Sequence, residues 1–195
     1  FHHWQFPQAF DDSGEFLTKC PVPVYIVSNI DREDILSAIQ YHKFSVAGVS
    51  TSEDARSYKP RPELFQLALA ETGLAPHDVV HLGDSLSSDV NGASSQGIST
   101  LWLNRNNKPV PAGVCSISTL LEVSDMLLFL EKRCEPEKRL SLLLSLLVKV
   151  PDDALPAAIC SPKNIAICCE SFLWHGWWFL LPGVFFNHQH YRIAP

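Results

Sequence analysis

Short apolar runs bounded by turn residues recur along the first two thirds of the chain. Each is followed by a polar stretch and then by apolar positions at helical spacing. Residues 22–27 form a run rich in β-branched side chains that ends in the polar pair Ser28 and Asn29. Asp31 is placed to cap a helix in which Ile35, Leu36 and Ile39 recur on one face. A second run, 46–49, opens into a polar loop carrying Lys59, stiffened by Pro60 and Pro62. Pro62 suits the first turn of the next helix, whose apolar face is Leu64, Phe65, Ala68 and Leu69 and whose stop is Gly73. A third run, Val79, Val80 and Leu82, leaves through Gly83 into Asp84. Val90, Ala93 and Gly97 then suit a short helix, and 99–104 a further strand. A brief strand at 114–117 precedes a capping box, Thr119 to Glu122. Strand alternating with helix predicts an α/β, Rossmann-like domain on a parallel sheet.

Open α/β sheets place ligands just beyond the carboxyl ends of their strands. The polar groups that directly follow the runs are therefore the candidate site: Ser28 and Asn29, Lys59, and the carboxylates Asp84 and Asp89. Two carboxylates there suit a hard divalent cation such as Mg²⁺, which takes oxygen ligands and keeps several waters. Each residue also has a plainer reading. Ser28, Ser85, Ser87 or Ser88 can cap a helix, Asp89 can answer a helix dipole, and a loop lysine is usually solvated.

The order Ser28-Asn29, then Lys59 in YKPRPELF, then GDSLSSDV resembles motifs II, III and IV of the haloacid dehalogenase (HAD) superfamily, over about residues 16–126. That resemblance implies a Mg²⁺-dependent phosphatase of small phosphorylated metabolites working through a phosphoaspartyl intermediate. Ser28 would bind the transferring phosphoryl group with Asn29, and Lys59 would neutralise charge on it. Asp84 would hold Mg²⁺, with Asp89 positioning metal-bound water and the lysine. The family's first motif, a strand ending in Asp-x-Asp that supplies the nucleophile, finds no counterpart. The nearest segment, FDDSGEF, has adjacent acids and reads as the surface of an amphipathic helix. The chain is thus expected to be an N-terminally truncated HAD-like core, inactive alone because the step its other groups assist is missing. A haloacid dehalogenase and a non-catalytic fragment of the same fold are the alternatives.

Three segments follow: residues 1–15 as a remnant of a cap or hinge with its linker helix, 16–133 as the core, and 134–195 as an apolar tail outside it, of uncertain fold. The tail includes LSLLLSLLVKV and FLWHGWWFLLPGVFF, both too short to span a bilayer, and the basic residues an interfacial anchor uses are scarce there, so a membrane role is not expected. A net charge of −6 without a basic run argues against nucleic acid. The six cysteines contain no CxxC pair and read as reduced thiols, which places the protein in the cytoplasm.

Overall fold

A computed structural model describes residues 7–125 and 166–169. The elements, in chain order, are helix α1 (Asp11–Lys19), strand β1 (Val24–Ser28), α2 (Arg32–His42), β2 (Gly48–Thr51), the one-turn α3 (Ser52–Ala55) and α4 (Pro62–Thr72). Next come β3 (Val79–Gly83), a π-helical turn (Leu86–Asn91), the short α5 (Gly92–Ser94), β4 (Ser99–Leu103), β5 (Ser116–Ile117) and β6 (Ala166–Cys169).

The six strands among the described residues run parallel in one sheet, in the order β2-β1-β6-β3-β4-β5. The five runs read from the sequence are its other strands, with bounds that differ by no more than two residues. The two faces are buried by different helices, because alternate strand residues point to opposite sides. Val24, Ile26, Val80, Leu82, Leu101 and Leu103 pack with Phe16 of α1, with Ile35 and Ala38 of α2, and with Leu120 and Val123. On the opposite face Tyr25, Val27 and Val79 meet Leu64, Phe65 and Ala68 of α4. Pro62 opens α4, and Gly73 closes it in the left-handed conformation (φ 68°) that glycine adopts without steric cost. A parallel sheet covered on both faces explains why β1 and β3 are apolar almost throughout.

Three expectations change. Of the apolar positions that recur at helical spacing in α2, Leu36 is 44% exposed, because the helix turns Ile35 and Ala38 inward instead. The proposed boundary at 15/16 falls inside α1, whose Phe16 is fully buried and whose Asp12 and Ser13 are buried too. α1 is therefore part of the core rather than a linker. The third change concerns the segment placed outside the fold. Ala166–Cys169 is the strand between β1 and β3: Ile167 stands opposite both Val24 and Val80, and Cys168 opposite both Tyr25 and His81. Sequence pattern pointed away from this because the strand is short and far along the chain from its partners. Among the described residues, no helix is long and apolar enough to cross a membrane.

β6 satisfies the backbone groups that β1 and β3 turn toward each other, which are buried and have no water to bond instead. Ending the chain at Arg133 should therefore lower and broaden the thermal unfolding transition measured by circular dichroism, rather than leave it unchanged.

Candidate functional site

The carboxyl edge of the sheet gathers the polar residues. β1 ends at Ser28, which is buried, and the next side chain, Asn29, reaches across to the loop before α4. Its Oδ1 accepts from the Lys59 amide (2.8 Å) and its Nδ2 donates to the Lys59 carbonyl (3.3 Å). One side-chain amide thus fixes the peptide of the lysine. Lys59 is 3% exposed, and its Nζ donates to the Val27 carbonyl (3.0 Å) and to Asp89 Oδ1 (2.7 Å). It is not the solvated loop lysine of the plainer reading.

Asp89 arrives from the other half of the sheet. β3 ends at Gly83, and the π-helical turn folds Asp89 back over that glycine. A Cβ at Gly83 would lie 2.1 Å from Asp89 Cγ, so only glycine allows this approach. Ser85 caps the turn by accepting from the Ser88 amide (3.1 Å), while its own amide donates to Asp89 Oδ2 (3.1 Å). Asp89 Oδ1 also meets His81 Nε2 at 3.0 Å. A carboxylate only accepts, so His81 Nε2 carries the hydrogen. Burial opposes the charged form of Asp89, but the Lys59 charge and the His81 hydrogen bond outweigh it and hold its pKa well below the carboxylate range. Asp84 has an exposed side chain, and its carbonyl accepts from Trp102 Nε1 (2.9 Å), which anchors the turn to β4.

Among the described residues no group of three or more His, Cys, Asp and Glu side chains stands together as a metal centre. Mg²⁺ does not need one, since it is commonly held by one or two carboxylates plus water and substrate oxygens. The exposed Asp84 fits such a role. Asp89 is largely committed to Lys59, His81 and the Ser85 amide.

The reading of the N-terminal acids requires correction. The sequence presents Asp11 and Asp12 as a helix surface and the chain as an N-terminally truncated core lacking the nucleophile aspartate of the first motif. In the structure Asp12 is 9% exposed and firmly engaged. Its Oδ2 accepts from Arg105 Nη1 (2.8 Å), Thr119 Oγ1 (2.7 Å) and the Leu120 amide (2.9 Å), and its Oδ1 from Arg105 Nη2 (2.9 Å). The reason is topological. α1 turns back into β1, so its N-terminal end stands beside the residues that leave β4 and β5. An aspartate is therefore present at that edge, on a helix rather than on the strand the motif led us to seek. Burial opposes ionisation of Asp12, but the bonds from Arg105, Thr119 and Leu120 prevail and lower its pKa. Arg105 also lies over the Phe10 ring (4.1 Å). These bonds divert Thr119: its hydroxyl serves Asp12, while Glu122 completes the other half of the box by accepting from the Thr119 amide (3.2 Å).

Sequence reasoning also passed over His81. Its signal was visible, as the single polar side chain within the apolar VVHLG strand.

Residues 58–111 match the HAD-hydrolase-like family. The phosphoserine phosphatase of Thermus thermophilus is 35% identical over 83 residues, covering 43% of this chain and 32% of its own. The haloacid dehalogenase-like hydrolase domain-containing protein 3 of Danio rerio is 36% identical over 118 residues, covering 55% and 47%. The crystal structure of a HAD phosphatase from Thermococcus onnurineus superposes with a TM-score of 0.54 at 29% identity, covering 62% of this chain and 58% of that one. The α/β architecture is thus that of a HAD-like core, and the chain is similar to hydrolases of that type. It spans less than half the length of either of these two relatives.

Two outcomes follow from the site's electrostatics. Lys59 and Asp89 are both 0% exposed at their side chains, so Lys59→Met, which removes one partner of a buried pair, should cost about 3–5 kcal/mol in urea unfolding. Asp12 and Asp89 have folded pKa values below the unfolded one, about 3.9. Their stabilisation is complete above that value and is lost as pH falls from about 4 downward through the lowered folded values. Asp12→Asn should therefore flatten the fall of the unfolding midpoint across that acid window.

Proposed function

We propose that this chain carries the core of a Mg²⁺-dependent phosphatase of small phosphorylated metabolites, of the HAD-like kind, acting through an aspartyl-phosphate. The observation that carries this reading is the buried Lys59 ammonium, held between the Val27 carbonyl and Asp89 at the carboxyl edge of the sheet. A lysine hidden from water and bound at this edge is suited to a localised anion. Phosphoryl transfer spreads negative charge over the equatorial oxygens, so its catalysis is largely positioning and electrostatic stabilisation.

In this reading Ser28 at the end of β1 and Asn29 after it meet the phosphoryl oxygens, and Lys59 lowers the energy of the charge that develops on them. Asp84 would hold the metal, which when bound neutralises phosphate charge. Asp89 keeps the lysine in place from beneath. The aspartate that the N-terminal segment brings to this edge is Asp12. To attack phosphorus through Oδ1, it would have to release that oxygen from Arg105 Nη2, while Oδ2 keeps its bonds to Arg105, Thr119 and Leu120. The exposed Asp84 directly after β3 favours a phosphatase over a dehalogenase, for which a metal carboxylate has no use.

The experiment is calorimetric binding of inorganic phosphate to the full chain with and without Mg²⁺. Binding that requires Mg²⁺ is expected. Asp84→Asn should weaken it at least about tenfold while the unfolding midpoint stays put, because substitutions at exposed positions are usually within about 0.5 kcal/mol. Turnover of p-nitrophenyl phosphate by wild type and Asp12→Asn then tests the nucleophile: loss at every pH supports Asp12 in that role, and unchanged turnover removes it. Release of halide from 2-chloropropionate, without phosphate binding, would favour the dehalogenase.

A further inference from the structure

Among the described residues, His81 is a fully buried titratable side chain that the mechanism above leaves unused. It is 1% exposed in the middle of β3, among Val27, Phe65, Val79 and Ile98, with its ring edge-on to Phe65 (centroids 5.3 Å apart). An imidazole in such surroundings forfeits hydration that a leucine or phenylalanine would not need. The 3.0 Å hydrogen bond from Nε2 to Asp89 Oδ1 offsets part of that loss. The strand explains the geometry. Alternation turns Val79, His81 and Gly83 to the same face, and Gly83, lacking a side chain, lets Asp89 fold back over that face until its carboxylate meets the imidazole. The same oxygen receives Lys59 Nζ at 2.7 Å.

We propose that His81 is a positioning residue that fixes Asp89 Oδ1, and through it the direction in which Lys59 presents its ammonium. Asp89 is then held from three sides: the Ser85 amide on Oδ2, and His81 and Lys59 on Oδ1. The carboxylate cannot rotate away without losing all three. This inference rests on the reading of the Lys59–Asp89 pair as the charge centre of a phosphate site. Its own test reads the pair directly, whether or not phosphate binds.

The test compares the full chain carrying His81→Gln or His81→Leu with wild type. Glutamine can place its amide N–H where Nε2–H stands, and leucine fills the volume without a donor. The first readout is the ¹H–¹⁵N correlation spectrum of the lysine ammonium groups, in which a buried, fixed Lys59 gives a slowly exchanging signal assigned by its absence in Lys59→Met. That signal should persist in His81→Gln and be shifted or lost in His81→Leu. In parallel, inorganic phosphate with Mg²⁺ should bind about tenfold more weakly to the leucine variant and be rescued in the glutamine one. A Lys59 signal unchanged in His81→Leu, or lost equally in both variants, would overturn the proposal and leave His81 a core residue. Should the leucine variant fail to fold, Gly83→Ala makes the same test, because the added methyl displaces Asp89 from His81 and should disturb the Lys59 signal. If the signal responds as expected but wild type binds no phosphate, the functional reading fails and the positioning role stands.

Discussion

Two opposite charges with no exposed side-chain surface, Lys59 and Asp89, are the constraint around which the site edge is arranged. Buried ions are tolerated only when paired and hydrogen-bonded, because desolvation costs more than an imperfect contact returns. Each partner is accordingly surrounded by groups that complete it. Asn29 grips the lysine's peptide and Val27 supplies a carbonyl, while His81 and the Ser85 amide share the carboxylate. The pair also spans the sheet. Lys59 hangs from the loop beyond β2 and leans on β1, whereas Asp89 belongs to the turn beyond β3. A cost to folding is thereby converted into a fixed cation at the edge where an α/β sheet binds ligands.

That span depends on what lies between β1 and β3. They do not pair with each other; Ala166–Cys169 lies between them and bonds to both. Adjacent strands stand about 4.8 Å apart, so one intervening strand sets the two halves of the site at about twice that spacing. The geometry that brings Lys59 onto Asp89 is thus tied to a strand supplied from much further along the chain. On the far flank Asp12 performs a comparable joining task, clamping α1 to the residues that follow β4 and β5 through Arg105, Thr119 and Leu120.

Much of this was legible in the sequence, and the reasons differ by residue. Strands such as Val79–Gly83 announce themselves by apolar runs with abrupt polar exits, and helices such as α4 by a proline at the start and a glycine at the stop. Lys59, Asp84 and Asp89 stood out because each follows such a run. What could not be read were contacts made between segments distant in the chain. Nothing in FDDSGEF says that Asp12 will meet Arg105, since the two acids look alike until α1 is docked and one of them turns inward. The strand at Ala166–Cys169 has too few residues for a periodic signal, and its neighbours are leucine- and tryptophan-rich text that resembles no core element. His81 lay between these cases. A polar residue inside an apolar strand is a visible anomaly, but its partner is named only once Gly83 is seen to admit Asp89.

The most direct test of the account is a crystal structure of the full chain grown with Mg²⁺ and tungstate, a phosphate mimic whose tungsten is located by anomalous scattering. The account predicts tungstate at the carboxyl edge of the sheet, beside Ser28 and over the Lys59–Asp89 pair, with Lys59 still bonded to Asp89. Tungstate bound elsewhere, or a Lys59 turned to solvent and parted from Asp89, would contradict it.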